Sequence, residues 1–278
     1  MRNSYIYLFR VKFIKGKQLP LEFEDIKPEE LLIKAIKEKP AIDTKEGYSW
    51  HIGNIKSLDD KYGSFAIGRR SVTELPQFDS EKKDFIVSFS ETSPNTTIYF
   101  DSPLGLLGIK RNYHLAPRES SLAKKVEQLL SSTVIVRSSM TYVEVDPVKD
   151  PISFINKLRS AYSIKKFTVT FGGPNPFDAD ENFHKPMSIY LHEAEGKEGK
   201  TTIDGENLNS ETLVKMTRSV AATGNNATAR FRNSANEKIV SASLRDNPAK
   251  IIISQEMIEE KKINQKLLAE YNKVRSNE

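Results

Sequence analysis

The chain has 278 residues, 42 lysines and arginines against 37 aspartates and glutamates, a net charge of +5 and no cysteine. Disulfide staples, cysteine nucleophiles and thiolate zinc sites are thereby excluded, and the composition suits a reducing cytoplasm. No apolar run approaches the roughly 20 residues of a membrane helix, and Arg10 and Lys12 interrupt the apolar N-terminal stretch, so neither membrane insertion nor a signal peptide is expected.

In chain order, Tyr5, Tyr7, Phe9, Val11 and Phe13 alternate with Ile6, Leu8, Arg10 and Lys12, which predicts a strand with one aromatic buried face. Pro28, Glu29 and Glu30 open a helix whose stripe is Leu31, Leu32, Ala35 and Ile36. Short β-branched or aromatic runs follow at 48–56, 64–70, 85–90, 96–100 and 105–110, with turns expected at Asp59-Asp60, Pro76, Ser93-Pro94-Asn95 and Ser102-Pro103. A helix is expected over 118–131 on Leu122, Val126, Leu129 and Leu130. The run TVIVRSSMTYVEV, 133–145, reads as one long strand. Asp146-Pro147 and Asp150-Pro151 mark a junction, so two subdomains are expected, 1–147 and 148–278.

Beyond the junction, helices are expected over 151–160, 187–195 and 209–223, the last capped by Asn209 and Ser210 and closed by Gly224. A strand is expected over 165–171 and a hairpin over 228–245 around Asn233–Glu237. The chain ends in a helix striped by Ile263, Leu267, Tyr271 and Val274, which either docks on its own domain or pairs with a second subunit. Hairpins with inserted helices define an α+β fold of mostly antiparallel sheets.

The charge is unevenly placed. Between Gly105 and Met140, Lys110, Arg111, Arg118, Lys124, Lys125 and Arg137 face only Glu119 and Glu127, which leaves +4 in one strand–helix–strand unit. Such a surface can meet phosphates through salt-sensitive, sequence-independent contacts, although it is also what an ordinary solvated helix face carries. In Thr228–Arg232, Ala229 and Phe231 point inward while Thr228, Arg230 and Arg232 share the other face, with Lys238 across the hairpin loop and Arg245 at the end of the partner strand. An arginine ribbon can lie along a phosphate backbone, or it can be a charged edge that blocks unwanted pairing.

Catalytic signals are thin. His51, His114, His184 and His192 form no pair at helical metal spacing, and no P-loop, dinucleotide fingerprint or nucleophile elbow is present. Asp178, Asp180, Glu181 and His184 could gather around an oxygen-loving cation, or they are the acidic start of a helix. A metal-dependent nuclease using those four residues is the enzymatic alternative, and a protein-binding adaptor using the C-terminal helix is the third reading. No cofactor is expected.

Three stretches carry a family resemblance. They are the opening YIYLFRVKFIKGK, the unit TIYFDSPLGLLGIKRNYHLAPRESSLAKKVEQLL, and the closing ATARFRNSANEKIVSASLRDNPAKIIIS with its helix. In these stretches and in the order of its elements the chain resembles the RexA-type phage-exclusion proteins of temperate phages. The resemblance implies a dimeric, two-domain, nucleic-acid-binding protein without catalytic chemistry, acting in phage exclusion. The resulting expectation is a cytoplasmic, homodimeric protein that contacts the DNA backbone, duplex rather than single-stranded, with a possible partner defence protein. The segment GGPNPFDAD, 172–180, has no counterpart in that resemblance.

Overall fold

A computed structural model describes residues 4–15, 26–44, 48–57, 59, 61–172, 184–196, 198–244, 248–253 and 259–276. The first strand, β1 (Ser4–Lys15), is buried on both faces rather than on its aromatic face alone. Ile6 and Leu8 are as inaccessible as Phe9, and even Arg10 is 1% exposed. The reason lies in its partners. β1 runs through the middle of a nine-stranded sheet, with helices on either side.

The remaining elements of the first half are α1 (Pro28–Lys37), β2 (Ala41–Asp43), β3 (Tyr48–Ser57), β4 (Tyr62–Asp79), β5 (Asp84–Thr92), β6 (Asn95–Asp101), β7 (Leu106–Lys110), α2 (Glu119–Ser131), α3 (Val134–Ser138) and β8 (Thr141–Pro147). The second half holds α4 (Ile152–Ser160), β9 (Ser163–Gly172), α5 (His184–Glu193), β10 (Glu198–Asp204), α6 (Ser210–Ala222), β11 (Ala227–Arg232), β12 (Val240–Ser243), β13 (Lys250–Ile253) and α7 (Glu260–Arg275). The fold is α+β, with every strand pair among the described residues antiparallel.

The large sheet runs β13-β1-β7-β6-β4-β3-β2, with β8 added to β1 and β5 added to β4. The smaller sheet runs β10-β9-β11-β12. One core lies between the large sheet and α1, α2 and α3, built from Phe9, Phe65, Ile98, Val126 and their neighbours. The other lies on the opposite face, where Ile6, Leu8, Tyr99 and Leu106 meet α4, α6, α7 and the inner face of the small sheet, including Phe167 and Val169. The resulting order of layers is helices, large sheet, helices, small sheet.

Helix signals in the sequence hold where caps are local. α6 starts at Asn209, whose side chain accepts the Thr212 N–H at 2.9 Å, and Gly224 follows its end at φ +80°. α7 docks on its own chain, with Ile263, Leu267, Tyr271 and Val274 all buried. The long strand expected over 133–145 is corrected. Residues 134–138 form α3, and only 141–147 is strand. The Glu38 carboxylate, from the end of α1, accepts the N–H groups of Val134 and Ile135 at 2.7 and 2.9 Å, so a distant residue caps a β-branched helix. Pro76 is no turn either. It sits within the 18-residue β4, opposite Val87. β2, β10 and β13 carry no expectation from the sequence and are strands.

Candidate nucleic-acid interface

The small sheet carries its charged and hydroxyl side chains on one face. Along β11, Ala227, Ala229 and Phe231 are buried, while Thr228 and Arg230 are exposed and Arg232 is half-buried, as the alternation in the sequence implies. Its register with β9 sets Arg230 opposite Lys166 and Thr228 opposite Thr168, and a bulge follows between Arg230 and Phe231. β10 sets Thr202 opposite Thr168, Lys200 opposite Thr170 and Asp204 opposite Lys166. β12 adds Ser241 beside Arg230 and Ser243 beside Thr228. Residues opposite one another in a sheet share a face. The outer face is therefore a lawn of hydroxyls carrying Lys166, Lys200 and Arg230, with Asp204 and Glu198 at its rim. Among the described residues no aromatic side chain belongs to it.

Its charges are held with different firmness. Lys166 pairs with Asp204 at 3.2 Å, and Thr168 and Thr202 share a hydrogen bond of 3.1 Å. At the corner, Lys165 binds Glu206 at 3.0 Å. That bond and the charges of Lys165 and Arg232 hold the Glu206 carboxyl below its ordinary range. Arg232 donates from Nη1 to the Ala235 carbonyl at 3.4 Å and so braces the hairpin loop. Among the described residues, neither Arg230 nor Lys200 has a side-chain partner, and Lys238 stands exposed beyond the loop. Unpaired cations on a rigid sheet need no bond broken before they meet an anion.

The central cluster is arranged otherwise. Lys110 and Arg111 fall on opposite faces of the large sheet. Leu106 and Gly108, which share the face of Lys110, look toward α7, while Arg111 donates to the Tyr7 hydroxyl at 2.9 Å on the other side. The Arg111 guanidinium also lies 4.1 Å from the Tyr113 ring centre. Burial opposes its charge, but the Tyr7 hydrogen bond and the fields of Tyr7, Tyr113 and Glu119 outweigh burial and raise its pKa. On α2, Lys124 is paired with Glu127. Lys125 donates to Gln128 at 2.9 Å and lies 5.8 Å from the Trp50 ring centre. Arg118 is exposed at the start of α2, and Arg137 is exposed in α3, beyond the far end of α2. Much of the +4 in this unit is thus spent on local partners or turned away.

The two basic surfaces do not face each other. The exposed side of α2 looks outward from the first core, and the outer face of the small sheet looks outward from the second. They lie on opposite sides of the layered molecule. Sequence reasoning missed Lys200 because EGKTTID was not read as a strand, although its period-two alternation is the signal that would have found it. Lys166 has no signal of its own along the chain, and only the register makes it a neighbour of Arg230.

The alternative cation site falls largely outside the described residues, where Asp178, Asp180 and Glu181 lie, as does Arg245. His184 opens α5, but its side chain is not among those described. Among the described residues no three His, Asp or Glu side chains are grouped so as to hold a metal ion, and no helix is long and apolar enough to cross a membrane. A scan against family models finds no match to the chain, and a search of curated proteins finds none either.

Proposed function

We propose that this protein binds the backbone of duplex DNA through the outer face of the β10-β9-β11-β12 sheet, in the phage-exclusion setting that its sequence resemblance implies. The observation that carries the reading is the register that places Arg230 beside Lys166 on a hydroxyl-rich face. Hydroxyls and cations are the side chains that contact phosphate and sugar, and they position a protein on DNA without reading its sequence. With no aromatic side chain among its described residues, that face lacks the stacking platforms that hold the unpaired bases of single-stranded ligands. Thr170, Thr202 and Thr228, which reach the surface, supply neutral hydrogen-bonding groups between the charged positions.

Three cations on the face set the expected salt response. Neutralising three phosphates gives a slope of about −2.7 in log affinity against log salt, or about a 40-fold loss from 50 to 200 mM. The double variant Lys166→Ala with Arg230→Ala is expected to weaken binding equally for unrelated duplexes and to flatten the slope by about two. A gel shift at two salt concentrations measures both quantities. Binding and slope unchanged in the double variant would remove this face from the reading. Plasmid cleavage with Mg²⁺ that is lost in Asp180→Ala would instead support the nuclease alternative.

A further inference from the structure

On the face of β1 that meets the first core, burial fades toward the start of the strand. Tyr7 and Phe9 are buried, whereas Tyr5 is half-buried. Strand register extends that face on both sides of Tyr5. Ile252 of β13 stands opposite Tyr5 and Lys250 opposite Tyr7, and paired residues share a face. On the other side the Arg111 N–H donates to the Tyr5 carbonyl at 3.0 Å, so Arg111 continues β7 beside Tyr5. Lys250 is exposed, Ile252 is 52% exposed, and Tyr113, just beyond Arg111, is 66% exposed.

Cations and rings alternate along this strip. The Lys250 Nζ lies 5.3 Å from the Tyr5 ring centre, and the Tyr5 and Tyr7 rings are 6.4 Å apart. The Arg111 guanidinium lies 5.7 Å from the Tyr7 ring centre and 4.1 Å from that of Tyr113. Among the described residues neither Lys250 nor Arg111 is in a salt bridge, and Glu119 is the one carboxylate whose field reaches Arg111. A ring attracts a cation without neutralising it, so both keep their pull on anions. The small sheet offers cations and hydroxyls; this strip offers cations and rings.

We propose that Tyr5, Arg111, Tyr113 and Lys250 form a second binding site, for the unpaired nucleotides of a single strand. Tyr113 and Tyr5 stack the bases, and Arg111 and Lys250 meet the phosphates. Charge and shape together select this ligand. Exposed rings set among unneutralised cations call for a partner that is both flat and anionic, and tyrosine rings and guanidinium planes are the groups on which unpaired bases stack. A duplex keeps its base faces inside its own stack, a basic peptide is repelled, and an acidic peptide without rings gains from the charge alone. A free nucleotide carries the same base and phosphate but engages one ring, whereas a strand engages both and gains from the linkage. The strip lies on the far side of the large sheet from the small one, so this proposal does not rest on the duplex reading.

Fluorescence anisotropy with a labelled oligothymidylate, and with an abasic strand of the same length and charge, tests the site. The native protein is expected to bind the thymidylate strand at least about five-fold more tightly than the abasic one, the least that one stacked base contributes. Tyr113→Ala is expected to remove that preference and leave abasic binding unchanged, and Tyr113→Trp, which keeps a ring, to retain it. The side chain is exposed, so circular dichroism is expected to be unchanged in both. Lys250→Ala is expected to flatten the salt slope for the thymidylate strand by about 0.7. Equal binding of the two strands, binding of neither, or a preference that survives Tyr113→Ala would overturn the proposal. Thymidine monophosphate competing as well as the strand would overturn it too and give the strip to a free nucleotide. The Lys166→Ala, Arg230→Ala double variant is expected to keep the preference and Tyr113→Ala to keep duplex binding, so either reading can fail without the other.

Discussion

Four charged residues share one face of β1 and β8. The register sets Arg10 opposite Asp146 and Lys12 opposite Glu144, and Lys12, itself buried, reaches Asp146 at 3.0 Å. Arg10 donates to the Tyr271 hydroxyl of α7. Charges this deep are retained only when they are paired, because desolvation is costly. Glu144 is the misfit. Burial raises its pKa above the ordinary carboxylate value, Lys12 pulls it back, and Asp146 and Glu127 push it up again. The folded chain therefore holds this proton more tightly than the unfolded chain does. Its contribution to stability is full below the ordinary carboxylate pKa and is lost as pH rises through the raised value. Glu144→Gln is accordingly expected to raise the melting temperature at pH 7 and to leave it nearly unchanged at pH 4, as read by thermal denaturation at the two pH values.

Among the elements, α3 is the instructive one. TVIVR has the composition of a strand, and β-branched residues are indifferent helix formers. It is helical because the Glu38 carboxylate binds its first amides from α1. Glu38→Ala is expected to cost about 1 kcal/mol in urea denaturation, and Glu38→Gln, which keeps an acceptor, to recover part of it. By contrast α1, α2 and α6 were legible, since their stripes and signals lie within a few residues of one another. The same contrast holds for the candidate interface. The inward and outward alternation of Thr228–Arg232 could be read along the chain, because a strand has period two. Its neighbours Lys166 and Lys200 could not, because strand pairing over 30 or more residues leaves no periodic trace.

In the whole molecule, the last elements return to the first. β13 pairs with β1, with Ile251 opposite Ile6, and α7 lies on the large sheet so closely that a Cβ on Gly108 would stand 2.5 Å from Leu267. Arg218 of α6 donates to the carbonyls of Lys273 and Val274 at 2.7 and 3.2 Å and so ties the end of α7 to the helices under the small sheet. Both sheets thus draw on one core. Leu267→Ala is expected to cost about 2–5 kcal/mol and to lower a single unfolding transition, with fluorescence from Trp50 on the large sheet and far-ultraviolet ellipticity falling together. Two separated transitions would show that the halves unfold independently. Composition and local periodicity alone determined the α+β class, the capped helices, the arginine ribbon and the lack of thiol chemistry, because each depends on residues close together in the chain. Tertiary structure alone decided that Lys110 and Arg111 part company across a sheet, that the two basic surfaces look away from each other, and that β5 is left as an open edge. Those facts depend on which strands pair and which faces are covered, and pairing joins residues that sequence spacing does not relate.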